Sequence, residues 1–179
     1  MRKILIAVDL QNDFISGSLG TDDAISIVPA SVKKILSHNG FIIATLDTHF
    51  DNYSDTLEGK NLPVVHCIRS SHGWQLNSEI EKALRYHGNY EILEKISFGS
   101  PELPSLVEKA SGGEEFEIEL IGLCTDICVV SNALILKGAF PEVNITVDAS
   151  CCAGVSTETH NAALQTMKMC QINIINEKN

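Results

Sequence analysis

Six short apolar runs, each long enough for a strand and too short for a helix, recur along the chain with helical segments between them. The runs cover residues 3–9, 41–47, 90–95, 116–123, 142–147 and 171–175. Apolar periodicity, capping residues and Gly or Pro stops predict helices over 22–39, 78–87, 101–110, about 127–137 and about 156–169. Strands alternating with helices build a parallel sheet covered on both faces, because each parallel crossover lays its helix over the sheet. The expected architecture is α/β: a single doubly wound three-layer domain over 1–179 with a six-stranded parallel sheet. A chain of 179 residues, 44 % apolar, can bury a core of that size, and no internal repeat or linker divides it.

A net charge of -10 argues against nucleic acid or an anionic membrane as partner, since both call for clustered Lys and Arg. The cysteines Cys67, Cys124, Cys128, Cys151, Cys152 and Cys170 show no metal-ribbon spacing, and the adjacent pair Cys151-Cys152 is a poor disulfide framework. No signal peptide precedes the first apolar run, and no apolar stretch approaches the ~18 residues of a membrane span. The expectation is a cytoplasmic protein with reduced thiols and a small-molecule substrate, without membrane or nucleic acid as partner.

In doubly wound sheets ligands bind beyond the carboxyl ends of the strands. The polar residues expected there are Asp9, Asp47, Lys95, the turn from Cys124 to Cys128, and Asp148. After the strand at 116–123, Thr125 or Asp126 can cap the next helix, which puts Cys128 in its first turn. The positive helix end would lower the pKa of a thiol there, and unpaired N–H groups could hold an oxyanion. A buried Cys in such a turn is also common without chemistry. Asp9 could accept the thiol proton if burial raised its pKa, and Lys95 could stabilise thiolate and carboxylate alike. Each has an ordinary structural reading alone; their convergence on one sheet edge makes them a set.

A second set lies in the long connection over 48–77. Asp47-Thr48-His49, with His66 further on and Asp55 as a possible fourth member, offers carboxylate and imidazole donors that suit zinc, iron or manganese. The alternative is a loop whose His and Asp bond locally.

Asp9-Leu10-Gln11-Asn12-Asp13-Phe14 with Gly17-Ser18-Leu19, Glu94-Lys95-Ile96-Ser97-Phe98, and Gly122-Leu123-Cys124-Thr125-Asp126-Ile127-Cys128 together resemble the motifs of the isochorismatase-like cysteine hydrolases, nicotinamidases in particular. The resemblance covers essentially the whole chain. It implies an Asp9–Lys95–Cys128 triad that hydrolyses a small carboxamide through a thioester, with the N–H groups of Cys124 and Cys128 as oxyanion hole and a cis Leu123-Cys124 peptide. It also implies that Asp47, His49 and His66 hold a divalent metal that binds the substrate's pyridine nitrogen.

The chain departs from that pattern twice. Asp55 stands where many nicotinamidases have a further histidine, and Leu62-Pro63-Val64-Val65 replaces an aromatic residue before the His66-Cys67 pair. Phe14, Leu19 and Trp74 are the expected pocket residues. Alternatives are a metal-independent hydrolase of a carbamoyl compound or other small amide, and a non-catalytic binding module. Isochorismatase chemistry fits less well, because it needs no Cys nucleophile. Oligomerisation is common in the family, so a homo-oligomer is expected. Asp126 is read as a helix cap, Cys151-Cys152-Ala153-Gly154 as a turn beyond the fifth strand, Cys170 as core, and 58–63 as a polar turn over the pocket.

Overall fold

The computed structural model describes residues 1–177. Its elements in chain order are β1 (Arg2–Val8), α1 (Asn12–Ile15), α2 (Asp22–Ser26), α3 (Val28–Ser37), β2 (Phe41–Asp47), a 3₁₀ turn (Tyr53–Asp55), α4 (Leu57–Asn61), α5 (Ser78–His87), β3 (Tyr90–Lys95), α6 (Leu103–Ser111), β4 (Phe116–Leu123), a π-helical turn (Thr125–Val129), α7 (Val130–Ala139), β5 (Ile145–Ala153), α8 (Thr157–Met169) and β6 (Asn173–Ile175). The strands pair in the order β3-β2-β1-β4-β5-β6, every pair parallel. This is the six-stranded α/β sheet expected from the alternation.

β1 and β2 read as nearly unbroken apolar runs because both faces of the sheet are covered there. Ile4, Ile6 and Val8 of β1 pack with α6, α7 and α8, while Leu5 and Ala7 pack with α2, α3 and α5. The strand order reverses between β1 and β4, so a crevice opens where these two strands end. They run unusually close there. Gly122 has φ +123, and a Cβ at that position would run into the Val8 carbonyl.

Several boundaries differ from expectation for identifiable reasons. The helix expected over 22–39 is two helices, because Pro29 cannot continue the hydrogen bonding of α2 and instead sits in the first turn of α3. β5 does not stop at 147 but runs to Ala153, so Cys151 and Cys152 are buried strand residues rather than a turn. Between Val147 and Cys152 the register with β4 slips, and the inserted residues include Asp148 and Ser150, whose polarity hides the strand. Asp148 therefore lies within β5, not at its end. α7 passes through Gly138 to Ala139. Cys170 closes α8 as an exposed residue, not a core one. Among the described residues no helix is long and apolar enough to cross a membrane.

Candidate active site and metal centre

Three strand ends meet at the crevice. Asp9 follows β1 with φ +46, fully buried. Lys95 ends β3 in register with Asp47, which ends β2. Lys95 Nζ lies 2.7 Å from Asp9 Oδ2, 3.3 Å from Asp47 Oδ1 and 3.6 Å from Cys128 Sγ. Thr45 Oγ1 donates to the other Asp9 oxygen at 2.6 Å. Asp9, Lys95 and Cys128 are thus brought together, as their sequence positions suggested.

Cys128 sits in the π-helical turn that follows β4, entered through a cis Leu123–Cys124 peptide bond. Asp126 does not cap this turn. Its carboxylate accepts the Val155 N–H at 3.1 and 3.2 Å, tying the turn to the loop before α8. Thr125, fully buried, contacts His160 Nδ1 at 2.8 Å. Asn132 holds the turn from below: its Nδ2 donates to the carbonyls of Cys128 (2.8 Å) and Phe98 (3.2 Å), and its Oδ1 accepts Ser100 N–H (3.0 Å).

The electrostatics correct one expectation. Burial, followed by the charge of Asp9, pushes the Cys128 thiol well above its ordinary range, against the opposing pull of Lys95. The net direction is upward, which favours the protonated thiol. Burial also raises Asp9, with Asp47 adding to it and Lys95 opposing. Burial alone would discharge Lys95, but Asp9, Cys128 and Asp47 reverse the sign and keep it cationic. Burial and the charge of Asp126 push the Cys124 thiol up to about 12.

Beside this group stands a second one. Asp47, His49, Glu58 and His66 place one donor atom each within 4.8 Å of one another. Asp47 Oδ2 is 3.0 Å from His49 Nε2 and 3.6 Å from His66 Nε2; Glu58 Oε1 is 3.5 and 3.6 Å from the same two nitrogens. His66 Nδ1 is 2.8 Å from the Val64 carbonyl, which holds that proton and turns Nε2 towards the group. Tyr53 packs edge-on against both imidazoles, with centroids 4.7 and 5.1 Å away. Burial would lower His49, but Asp47 and Glu58 push it up to about 9, because two carboxylates face each other with only imidazoles between them. Two nitrogens and two carboxylate oxygens converging from buried or half-buried side chains fit a divalent cation. The group is a candidate site for one.

Two expected residues are not in these groups. Asp55 is exposed on the 3₁₀ turn and outside the donor cluster; Glu58, in the first turn of α4, takes that place. Thr56 starts α4 by accepting the Gly59 N–H at 3.0 Å, so the chain swings Glu58 inward within three residues of Asp55. Trp74 does not line the pocket; its Nε1–H donates to Thr48 Oγ1 at 2.9 Å and its ring packs in the core.

The pocket over these groups has a volume of about 220 Å³. Phe14 and Leu19 line it as expected, together with Leu62, Phe98, Ile127 and Val155. Sequence reasoning missed Phe98, three residues past Lys95, as a wall; Leu62 lies within the 58–63 stretch expected to cover the pocket, most of which is α4 rather than a turn. Among the described residues no lysine or arginine lines this pocket, whereas Asp47 and Glu58 do.

The isochorismatase-domain family model matches residues 3–177. The chain belongs to the isochorismatase family. Within it, the nicotinamidase/pyrazinamidase of Mycobacterium tuberculosis is 26 % identical over 97 % of this chain and 98 % of its own length. The fold matches the crystal structure of nicotinamidase/pyrazinamidase from Bacillus subtilis with a TM-score of 0.85 at 24 % identity, over 98 % of this chain and all of that one (100 %). It also matches the pyrazinamidase of Pyrococcus horikoshii in complex with zinc, TM-score 0.74 at 21 % identity, over 99 % and 100 % of the two chains.

Proposed function

We propose that this family member hydrolyses a small neutral carboxamide of the nicotinamide and pyrazinamide type to the acid and ammonia, with Asp9, Lys95 and Cys128 as catalytic residues. The observation that carries the reading is the buried chain of contacts from Asp9 through Lys95 to the Cys128 thiol, which opens on an apolar pocket. The names of the relatives support the substrate class.

In this reading Cys128 Sγ attacks the amide carbonyl as its proton passes to Asp9, whose raised pKa suits it to hold that proton. The oxyanion that forms is held by the N–H groups of Cys124 and Cys128. Collapse breaks the C–N bond, Asp9 returns the proton to the leaving nitrogen, and ammonia departs from a Cys128 thioester. Water, deprotonated by Asp9, then cleaves the thioester to release the acid and restore the thiol. Lys95 keeps its charge throughout and stabilises whichever partner is anionic. A divalent cation held by Asp47, His49, Glu58 and His66 would supply a Lewis acid for a ring nitrogen of the substrate.

The pocket lining supports this reading over carbamoyl acids and isochorismate. The apolar walls Phe14, Leu19, Leu62 and Phe98 suit a neutral ring, and among the described residues no lysine or arginine lines the pocket to pair with a substrate carboxylate. The test is ammonia release from nicotinamide, pyrazinamide, small aliphatic amides and carbamoyl amino acids, run on metal-loaded and chelator-treated protein. Metal-dependent release from the ring carboxamides is expected. Release only from carbamoyl acids, indifferent to chelator, would replace the reading.

A further inference from the structure

The motif after β1 sets side chains at positions 9, 11 and 13, and the proposed triad uses only the first. Gln11 is fully buried. Its amide pairs with the backbone of Asp47 in both directions: Asp47 N–H donates to Gln11 Oε1 at 2.8 Å, and Gln11 Nε2 donates to the Asp47 carbonyl at 2.9 Å and the Trp74 carbonyl at 2.8 Å. Backbone bonding between the β1 and β2 segments continues past Ala7 and Ala44 with Asp9 N–H to the Thr45 carbonyl at 3.2 Å, and the Gln11 side chain acts as a further rung at Asp47. Asp13 does the corresponding thing at the other end of the connection. Its Oδ2 accepts the N–H of Cys67, the residue after His66, at 2.8 Å, and its Oδ1 accepts Ser18 N–H at 3.4 Å.

We propose that Gln11 and Asp13 are positioning residues for the cation site, each fixing the backbone of one donor-bearing segment; the inference rests on the reading of Asp47, His49, Glu58 and His66 as a metal centre. The geometry demands such support. Asp47 turns Oδ1 to Lys95 at 3.3 Å and Oδ2 to the imidazoles, so a small tilt of its backbone removes Oδ2 from the group. The two segments also bond to each other, His49 N–H to the Cys67 carbonyl at 2.9 Å and Arg69 N–H to the His49 carbonyl at 2.8 Å, so loss of one support weakens the site without erasing it.

The experiment is zinc titration of chelator-stripped protein against a chromophoric competing chelator, with cobalt absorption as a second, activity-free readout. Outer partners of metal ligands typically change affinity by 10–100-fold, so Gln11→Leu, Gln11→Glu and Asp13→Ala are expected to weaken zinc about tenfold or more. Gln11→Glu keeps the acceptor for Asp47 N–H and loses both donors, and it carries the test with Asp13→Ala if Gln11→Leu does not fold. Asp13→Asn retains an acceptor for Cys67 N–H and is expected to stay close to wild type. A merely structural role would lower the thermal midpoint of the stripped protein while leaving zinc affinity and the cobalt bands unchanged. Affinities of Gln11→Glu and Asp13→Ala within about twofold of wild type would overturn the proposal alone. Wild-type protein that does not bind zinc would overturn the metal reading and the proposal with it.

Discussion

Two lysines of this protein each sit between two carboxylates, and both clusters border a pocket, but Lys95 is in contact with a thiol and Lys34 lies beside an open polar groove. Lys95 Nζ lies 2.7 Å from Asp9 and 3.3 Å from Asp47, with its side chain only 1 % exposed. Lys34 Nζ lies 2.7 Å from Glu119 and 2.8 Å from Asp148, with 24 % of its side chain exposed. Both clusters hold their lysine charged. The difference lies in what else they touch. Lys95 faces a thiol under an apolar pocket, while the carboxylates around Lys34 are satisfied by one another's partners: Asp148 accepts Ser150 N–H at 3.1 Å, Ser150 Oγ–H at 2.7 Å and Asn176 Nδ2–H at 3.0 Å. A buried charge pair beside a pocket is therefore no sign of chemistry by itself; what supports the proposed role of Lys95 is the thiol it contacts under apolar walls.

The largest contrast is expected from Cys128→Ala. Turnover of the wild-type substrate should fall by roughly 10⁴-fold or more, as when a covalent nucleophile is removed elsewhere. The thermal midpoint should hardly move, since only one buried sulfur is lost. Turnover near wild type would remove Cys128 from the proposed mechanism.

Lys95→Met sharpens the comparison through stability. It leaves Asp9 and Asp47 buried with like charge and no cation between them, and breaking such a pair costs about 3–5 kcal/mol. Chelator-treated protein unfolded in urea should show that loss, and a loss below about 1 kcal/mol would place this cluster with ordinary surface pairs.

Asp9→Asn separates proton transfer from electrostatics. Losing the proton carrier should lower kcat by about 10²- to 10³-fold. The charge of Asp9 helps push the Cys128 thiol up, so its removal leaves Lys95 beside Cys128 with less opposition. Alkylation of Cys128 by iodoacetamide at neutral pH should be no slower than in wild type. Slower alkylation would mean that Asp9 activates the thiol directly, as a base, even without substrate.

How much of this could be read from the sequence follows from burial. β2, β3, β4 and α5 have the bounds expected, because apolar runs and a stop at Gly88 mark them without ambiguity. Asp9, Lys95 and Cys128 could be paired because strand ends of a doubly wound sheet share an edge. What stayed hidden depends on local turns. Choosing Glu58 over Asp55 requires knowing that Thr56 starts a helix, and placing Trp74 requires knowing that Thr48 offers it an acceptor. The end of β5 was missed because Asp148 and Ser150 break its apolar pattern, and their partner Lys34 lies in α3, far away in sequence. Sequence reasoning weighed only the helix end at Cys128 because that is local in sequence, whereas burial and the charge of Asp9, which push the thiol up, are not.

The smallest effect is expected at the Lys34 cluster. Lys34→Met keeps most of the aliphatic stem and removes the charge, and with Lys34 partly exposed and Asp148 holding three other hydrogen bonds the loss should be about 1 kcal/mol at neutral pH. Its pH dependence identifies the cause. Burial would raise the Asp148 carboxyl, but Lys34, Ser150 and Asn176 hold it below its ordinary value. A group depressed on folding contributes stability that is fully present above its unfolded pKa, about 4, and is lost as pH falls through the folded value. The gap between wild type and Lys34→Met in urea unfolding should therefore be widest near neutrality and close as Asp148 protonates. A gap constant across that range would trace the loss to the packing of the lysine stem. The two clusters would then differ in kind as well as in burial, with charge holding Asp9 and Asp47 in place and mere contact holding Asp148.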